Sequence, residues 1–164
     1  LLNRYTLPHI KTVTDAIQRN KELFPPTLVV VGPLRPEEPA KWGLPVVRLE
    51  QCPDDMMAAL LQHATAVLYP VQGDGGGMFA LQALRAGARM ITSKSGANFE
   101  MAGTMPFYCE ADNPVSLLQV MRRMLDETPQ ELEKGRQMGQ SLVMDCTWER
   151  CAGKIVSALK RSLL

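Results

Sequence analysis

Residues 73–77, Gly-Asp-Gly-Gly-Gly, have the types and spacing that could do chemistry. They follow an apolar run, Ala66 to Tyr69, that the pattern predicts as a short buried strand. A helix is expected from about Met78 to Ala86, ended by Gly87 in the left-handed position after the last turn. Strand, glycine loop and helix N-terminus leave backbone N–H groups aimed at an anion and add the helix dipole to them. A phosphate-bearing ligand is the chemistry this suggests, and a plain flexible turn is the alternative. The strict dinucleotide fingerprint is not met, because Met78 stands where its last glycine should be. No Gly-Lys-Ser/Thr follows the loop, which excludes a nucleotide-hydrolysing P-loop.

The elements that would position this loop can be taken in chain order. Leu1-Leu2 reads as the tail of a strand, with Asn3 to Tyr5 as a loop after it. Ile10, Val13 and Ile17 recur at helical spacing, and Pro25-Pro26 supplies a stop. Thr27–Val31, Val46–Leu49, Arg89–Thr92 and Phe107–Cys109 are further strand candidates, with a polar surface loop expected over 33–44. Pro53-Asp54-Asp55 opens a helix to about Ala64, and a short helix is expected around Phe99–Ala102. Asn113-Pro114 and Thr128-Pro129-Gln130-Glu131 are helix starts with capping residues. Gly135 and Gly139 would let the second of these helices pack closely. Thr147-Trp148 begins the last helix, with Ile155, Ala158 and Leu159 as its apolar stripe.

Strands alternating with helices predict a Rossmann-like α/β domain, an open parallel sheet with helices on both faces. Ligands bind such sheets beyond the carboxyl ends of the strands. That rule gathers Arg4, Gly32, Gln51, the 73–77 loop and Ser93–Gly96 on one rim. The 164 residues make a single domain, 1–164, and a chain of this size buries roughly 70% of its unfolded surface. The chain begins with Leu and reads as a piece of something longer. A net charge of +1 gives no pull toward nucleic acid. No apolar run approaches the ~18 residues of a membrane span. Cys52, Cys109, Cys146 and Cys151 have no metal-type spacing and are expected as free thiols in a reducing compartment. His9 and His63 have no carboxylate or cysteine pattern around them and are assigned surface or capping roles.

In order and spacing, the segments resemble the C-terminal, donor-binding domain of retaining glycosyltransferases of the GT-B type, the group 1 family. Leu49-Glu50-Gln51-Cys52-Pro53-Asp54-Asp55 is similar to that family's Leu-Gly-x-Val-Pro-Asp-Glu turn. Tyr69-Pro70 with the glycine loop resembles its Phe-Pro-Ser…Glu-Gly-Phe-Gly segment, and Ala83-Leu84-Arg85-Ala86-Gly87 its Ala-Met-Ala-x-Gly. Ser95-Gly96, Glu100–Gly103, Ala111–Pro114 and Thr147–Arg150 continue the series, and the resemblance implies that Trp148 is a buried anchor. The family's paired glutamates, seven residues apart, are Asp74 and Gln82 here. The resemblance implies that Asp74 contacts the donor sugar and Gln82 the ribose hydroxyls. It also implies that Arg4 and the backbone of Gly75, Gly76, Gly77 and Met78 stabilise a departing nucleoside diphosphate, with Gln51 and Gly32 on the same site. Neither a metal nor another cofactor is expected, and the donor is a nucleotide sugar. The acceptor would bind an N-terminal partner domain of the same protein, so this half alone would bind and not transfer. A cytoplasmic location is expected, with any membrane contact made through the partner domain. The alternative is a glycosyltransferase-like scaffold or regulatory module that has lost donor binding. A nicotinamide or flavin domain is disfavoured by the incomplete fingerprint.

Overall fold

The computed structural model describes residues 2–3 (backbone only), 9–20, 27–33, 42–73 and 75–162. Their elements are β1 (Leu2–Asn3), α1 (Ile10–Gln18), β2 (Leu28–Val31), β3 (Val46–Leu49), α2 (Asp54–His63), β4 (Val67–Tyr69) and α3 (Met78–Arg85). β5 (Met90–Ser93), α4 (Gly96–Ala102), β6 (Phe107–Cys109), α5 (Pro114–Leu125), α6 (Pro129–Val143) and α7 (Trp148–Ser162) complete them. The strands form one sheet in the order β3-β2-β1-β4-β5-β6, and every pairing is parallel. The chain moves outward from β1 in one direction, then returns to its other side with β4, so the switch point lies between β1 and β4. The expected Rossmann-like open parallel sheet is the architecture found.

A sheet covered on both faces needs strands apolar on both sides, and the middle strands have them. Leu68 and Ile91 join a core with Val13, Ala16 and Ile17 of α1 and Leu117, Met121 and Met124 of α5. Their neighbours Val67, Tyr69 and Met90 point the other way, into a core with Phe79, Ala80, Ala83 and Leu84 of α3 and Val143 of α6. Tyr69 and Phe79 hold β4 to α3, their ring centroids 4.7 Å apart.

Three expectations are corrected. Trp148 is 76% exposed, and α7 as a whole buries none of its residues. Helical periodicity marks a face that favours burial without naming what covers it, and among the described residues nothing buries that face. Trp42, inside the stretch assigned to a surface loop, is buried in the first core, and its carbonyl accepts a 2.5 Å hydrogen bond from Gln18. Of the two α6 glycines only Gly139 packs closely: a Cβ there would lie 3.2 Å from Leu84, whereas one at Gly135 would meet nothing. α1 closes at Gln18, so the proposed stop at Pro25-Pro26 lies outside the described residues.

Candidate functional site

The carboxyl ends of the strands make a continuous rim. Gly32 follows β2 and Gln51 lies just beyond β3. The parallel pairing of Val31 with Leu49 brings these two ends side by side. Gly32 is buried, and its N–H donates to the Leu49 carbonyl at 2.8 Å, so that N–H belongs to the fold. Gln51 is exposed. Arg4 and Asp74, the two charged residues expected to act on the donor, lie outside the described residues.

The loop after β4 is held from below by hydroxyls of the next strand. Thr92 Oγ donates to the Tyr69 carbonyl at 2.8 Å, and Ser95 Oγ to the Val71 carbonyl at 2.7 Å. Ser93 Oγ donates to the same Val71 oxygen. Asn98 is fully buried under this corner and donates to Thr92 Oγ, while its Oδ1 has no hydrogen-bond partner among the described residues. The loop therefore enters α3 from a fixed position. Gly77 makes the entry: it is left-handed at φ 63°, and a Cβ on it would come within 2.8 Å of the Ala97 carbonyl. Its glycine is required by backbone conformation and by the contact with α4. Gly73 and Gly76 differ, because neither is left-handed. Among the described residues a Cβ on Gly73 or Gly75 would meet nothing within 4 Å, and one on Gly76 only Met78 at 3.8 Å. Of the loop glycines whose backbone is described, only Gly77 is left-handed.

α3 then starts at Met78, which is half exposed. The N–H groups of its first turn have no acceptor within the helix by construction. One turn on, Gln82 is exposed on the side facing α2. There it lines a groove of about 400 Å³ with Asp54, Met57 and Arg85. The structure thus gathers Gly75, Gly76, Gly77 and Met78 at one corner, while Gln82 lines a groove between α2 and α3 that none of those four borders.

Two side chains on this rim escaped the sequence reading as a pair. Asp112, after β6, accepts from Gln72 in the glycine-loop approach and lies 2.6 Å from His9 Nδ1 at the start of α1. His9 is thereby given a carboxylate partner that no local pattern announced; the two are distant in sequence and meet only because α1 and α5 cover the same face of the sheet. All four cysteines are free; burial pushes the Cys109 thiol up to about 12. Among the described residues no group of three or more metal-binding side chains occurs, and no helix is long and apolar enough to cross a membrane.

An open parallel α/β sheet with a glycine loop at its switch point is one half of a GT-B architecture, and solved structures agree. The α,α-trehalose-phosphate synthase (UDP-forming) of Burkholderia vietnamiensis superposes with a TM-score of 0.79 at 8% identity, over 98% of this chain and 44% of that one. An E. coli structure described as trehalose-6-phosphate bound with UDP-2-fluoro glucose gives 0.79 at 11%, over 97% and 43%. The N-terminal domain of Candida albicans trehalose-6-phosphate phosphatase gives 0.77 at 12%, over 98% and 41%. The chain spans less than half the length of these structures. The family model for glycosyl transferases group 1 matches residues 5–127, and the chain belongs to that family. No curated protein matches it in sequence.

Proposed function

We propose that the chain is the nucleotide-sugar-binding half of a retaining glycosyltransferase, taking a sugar from a nucleoside-diphosphate donor for an acceptor held by a second domain. One observation carries this reading. Among the described residues Gly73 and Gly76 leave open space above the loop, and neither is left-handed. Unneeded by the backbone, that space suits close approach of a diphosphate to main-chain N–H groups and to the N-terminus of α3. Arg4 adds positive charge from the end of the first strand, Asp74 meets the sugar, and Gln82 and Gln51 serve the nucleoside. As a neutral amide, Gln82 offers the ribose a contact weaker than a carboxylate's by about 1 kcal/mol. The charge that develops on the departing diphosphate is stabilised by these fixed dipoles and by Arg4, a design that needs no metal.

The second reading, a glycosyltransferase-like module without donor binding, is favoured by one feature, the loss of the carboxylate at Gln82. Calorimetric titration of a panel of nucleoside diphosphates, with the partner domain supplied, separates the two. Donor binding predicts saturable heat, abolished by Gly76→Val, weakened in a salt-dependent way by Arg4→Ala, and equal or tighter in Gln82→Glu. Flat titrations for every nucleotide on a folded protein, unrescued by Gln82→Glu, would establish the module instead.

A further inference from the structure

A cavity of about 510 Å³ lies away from the glycine-loop corner and meets the rim only at Lys94. It runs beside the edge strand β6, from Arg89 and Pro106 before their strands to Lys94 and Tyr108, with α5 and α6 as its outer walls. Its volume falls in the range of small-molecule sites. None of Gly32, Gln51, Gly75, Gly76, Gly77 or Gln82 lines it.

Its charges are unbalanced. Arg89, Lys94, Arg123 and Arg136 line it against the single carboxylate of Glu127. That carboxylate is already committed to Arg89, at 2.6 Å. Arg89 also donates to the Met124 carbonyl, and its buried Nε has no partner among the described residues. Lys94, Arg123 and Arg136 make no ion pair among the described residues. Two of them lie over aromatic faces: Lys94 Nζ is 5.4 Å from the Phe99 centroid and the Arg123 guanidinium 5.8 Å from that of Phe107. Such contacts orient a cation and leave its charge uncompensated. Lys94 and Arg123 are exposed and Arg136 half-buried, so in a chain of net charge +1 these three cations concentrate positive potential at one cavity mouth and attract an anion there. Guanidinium forks fit the oxygens of a phosphate, and the rings offer a wall for an apolar body.

We infer that this cavity is a second ligand site, distinct from the glycine-loop corner, for a small organic phosphate whose anion is held by Arg123 and Arg136 and whose apolar part lies against Phe99 and Phe107. An anion held from both α5 and α6 would tie these helices together, which gives the site the character of an effector pocket.

The test is a titration of the ¹⁵N-labelled chain with phenyl phosphate, followed by amide shifts. Saturable shifts at Arg89, Phe107, Gly135 and Arg136, weakened by salt and weaker with inorganic phosphate, are expected. The double variant Arg123→Gln/Arg136→Gln should weaken binding at least about tenfold, because two charge-assisted contacts are lost. Arg150→Gln, on a surface arginine paired to Asp145, should leave it unchanged. The absence of saturable shifts at millimolar phenyl phosphate would overturn the inference, as would shifts confined to the glycine loop. So would an affinity unaffected by the double variant. The salt dependence of the unmutated chain reads the same charges without any variant. Amides 75–78 report the rim separately, so failure here leaves the donor reading standing.

Discussion

Gly77 and Gly76 are neighbours with opposite reasons for being glycine. Gly77 sits in the left-handed region against the Ala97 carbonyl, so Gly77→Ala should destabilise the fold by about 1–3 kcal/mol in a denaturant titration, with or without nucleotide. Gly76→Ala should leave the unfolding midpoint nearly unchanged while weakening any ligand that approaches the loop. Only this pairing of measurements separates a glycine of the fold from a glycine of the site. The sequence displayed the loop clearly but could not divide its glycines, since φ and the neighbouring helix α4 are not written in the five residues themselves. Cysteine reactivity is a second expectation at this scale. At pH 8 a thiol pushed up to about 12 is almost wholly protonated, so Cys109 should resist alkylation in the folded protein. The exposed Cys146 and Cys151 should react first, and Cys52, raised by burial and then by Asp55 and Asp54, more slowly. Mass spectrometry of partly alkylated protein reads that order.

Helix starts were the most legible elements, because their signals are local. Asn113 accepts from the N–H groups of both Val115 and Ser116, and Asn113→Ala should cost about 1 kcal/mol of stability. Thr128 and Glu131 form the reciprocal box foreseen at the start of α6. The Thr128 backbone N–H, then its hydroxyl, holds the Glu131 carboxyl below its usual range. A lowered folded-state value means the contribution is present above the ordinary glutamate value and is lost as pH falls through the lowered one. The first turn of α6 should therefore loosen in acid, read as faster amide exchange at Leu132 and its neighbours. α7 shows the limit of local reading. Its apolar stripe over Ile155, Ala158 and Leu159 was visible, yet a stripe does not say what it meets. Trp148→Ala should accordingly change the stability of this chain by less than about 1 kcal/mol, where a fully buried tryptophan would cost about 3–5.

At the scale of the whole molecule, the sheet was legible because its strands appeared as short, mostly apolar runs set off by turns and helical periodicity. The site was legible only as a rim. Its charged members, Arg4 and Asp74, lie outside the described residues, and the His9–Asp112 contact depends on packing between segments far apart in sequence. The central position of β1 has one more consequence. Leu2 lies opposite Val30 on one side and Leu68 on the other, so the first of these six strands in chain order is the one on which both halves of the sheet close. No local hairpin can seed such a sheet; loops must close around long crossovers before the pairings form, which slows the search. As the chain emerges during synthesis, β1 can join β2 early, but its second edge stays open until β4 has been made. For that interval the nascent chain carries an unpaired strand edge, the kind of surface that invites association with another chain.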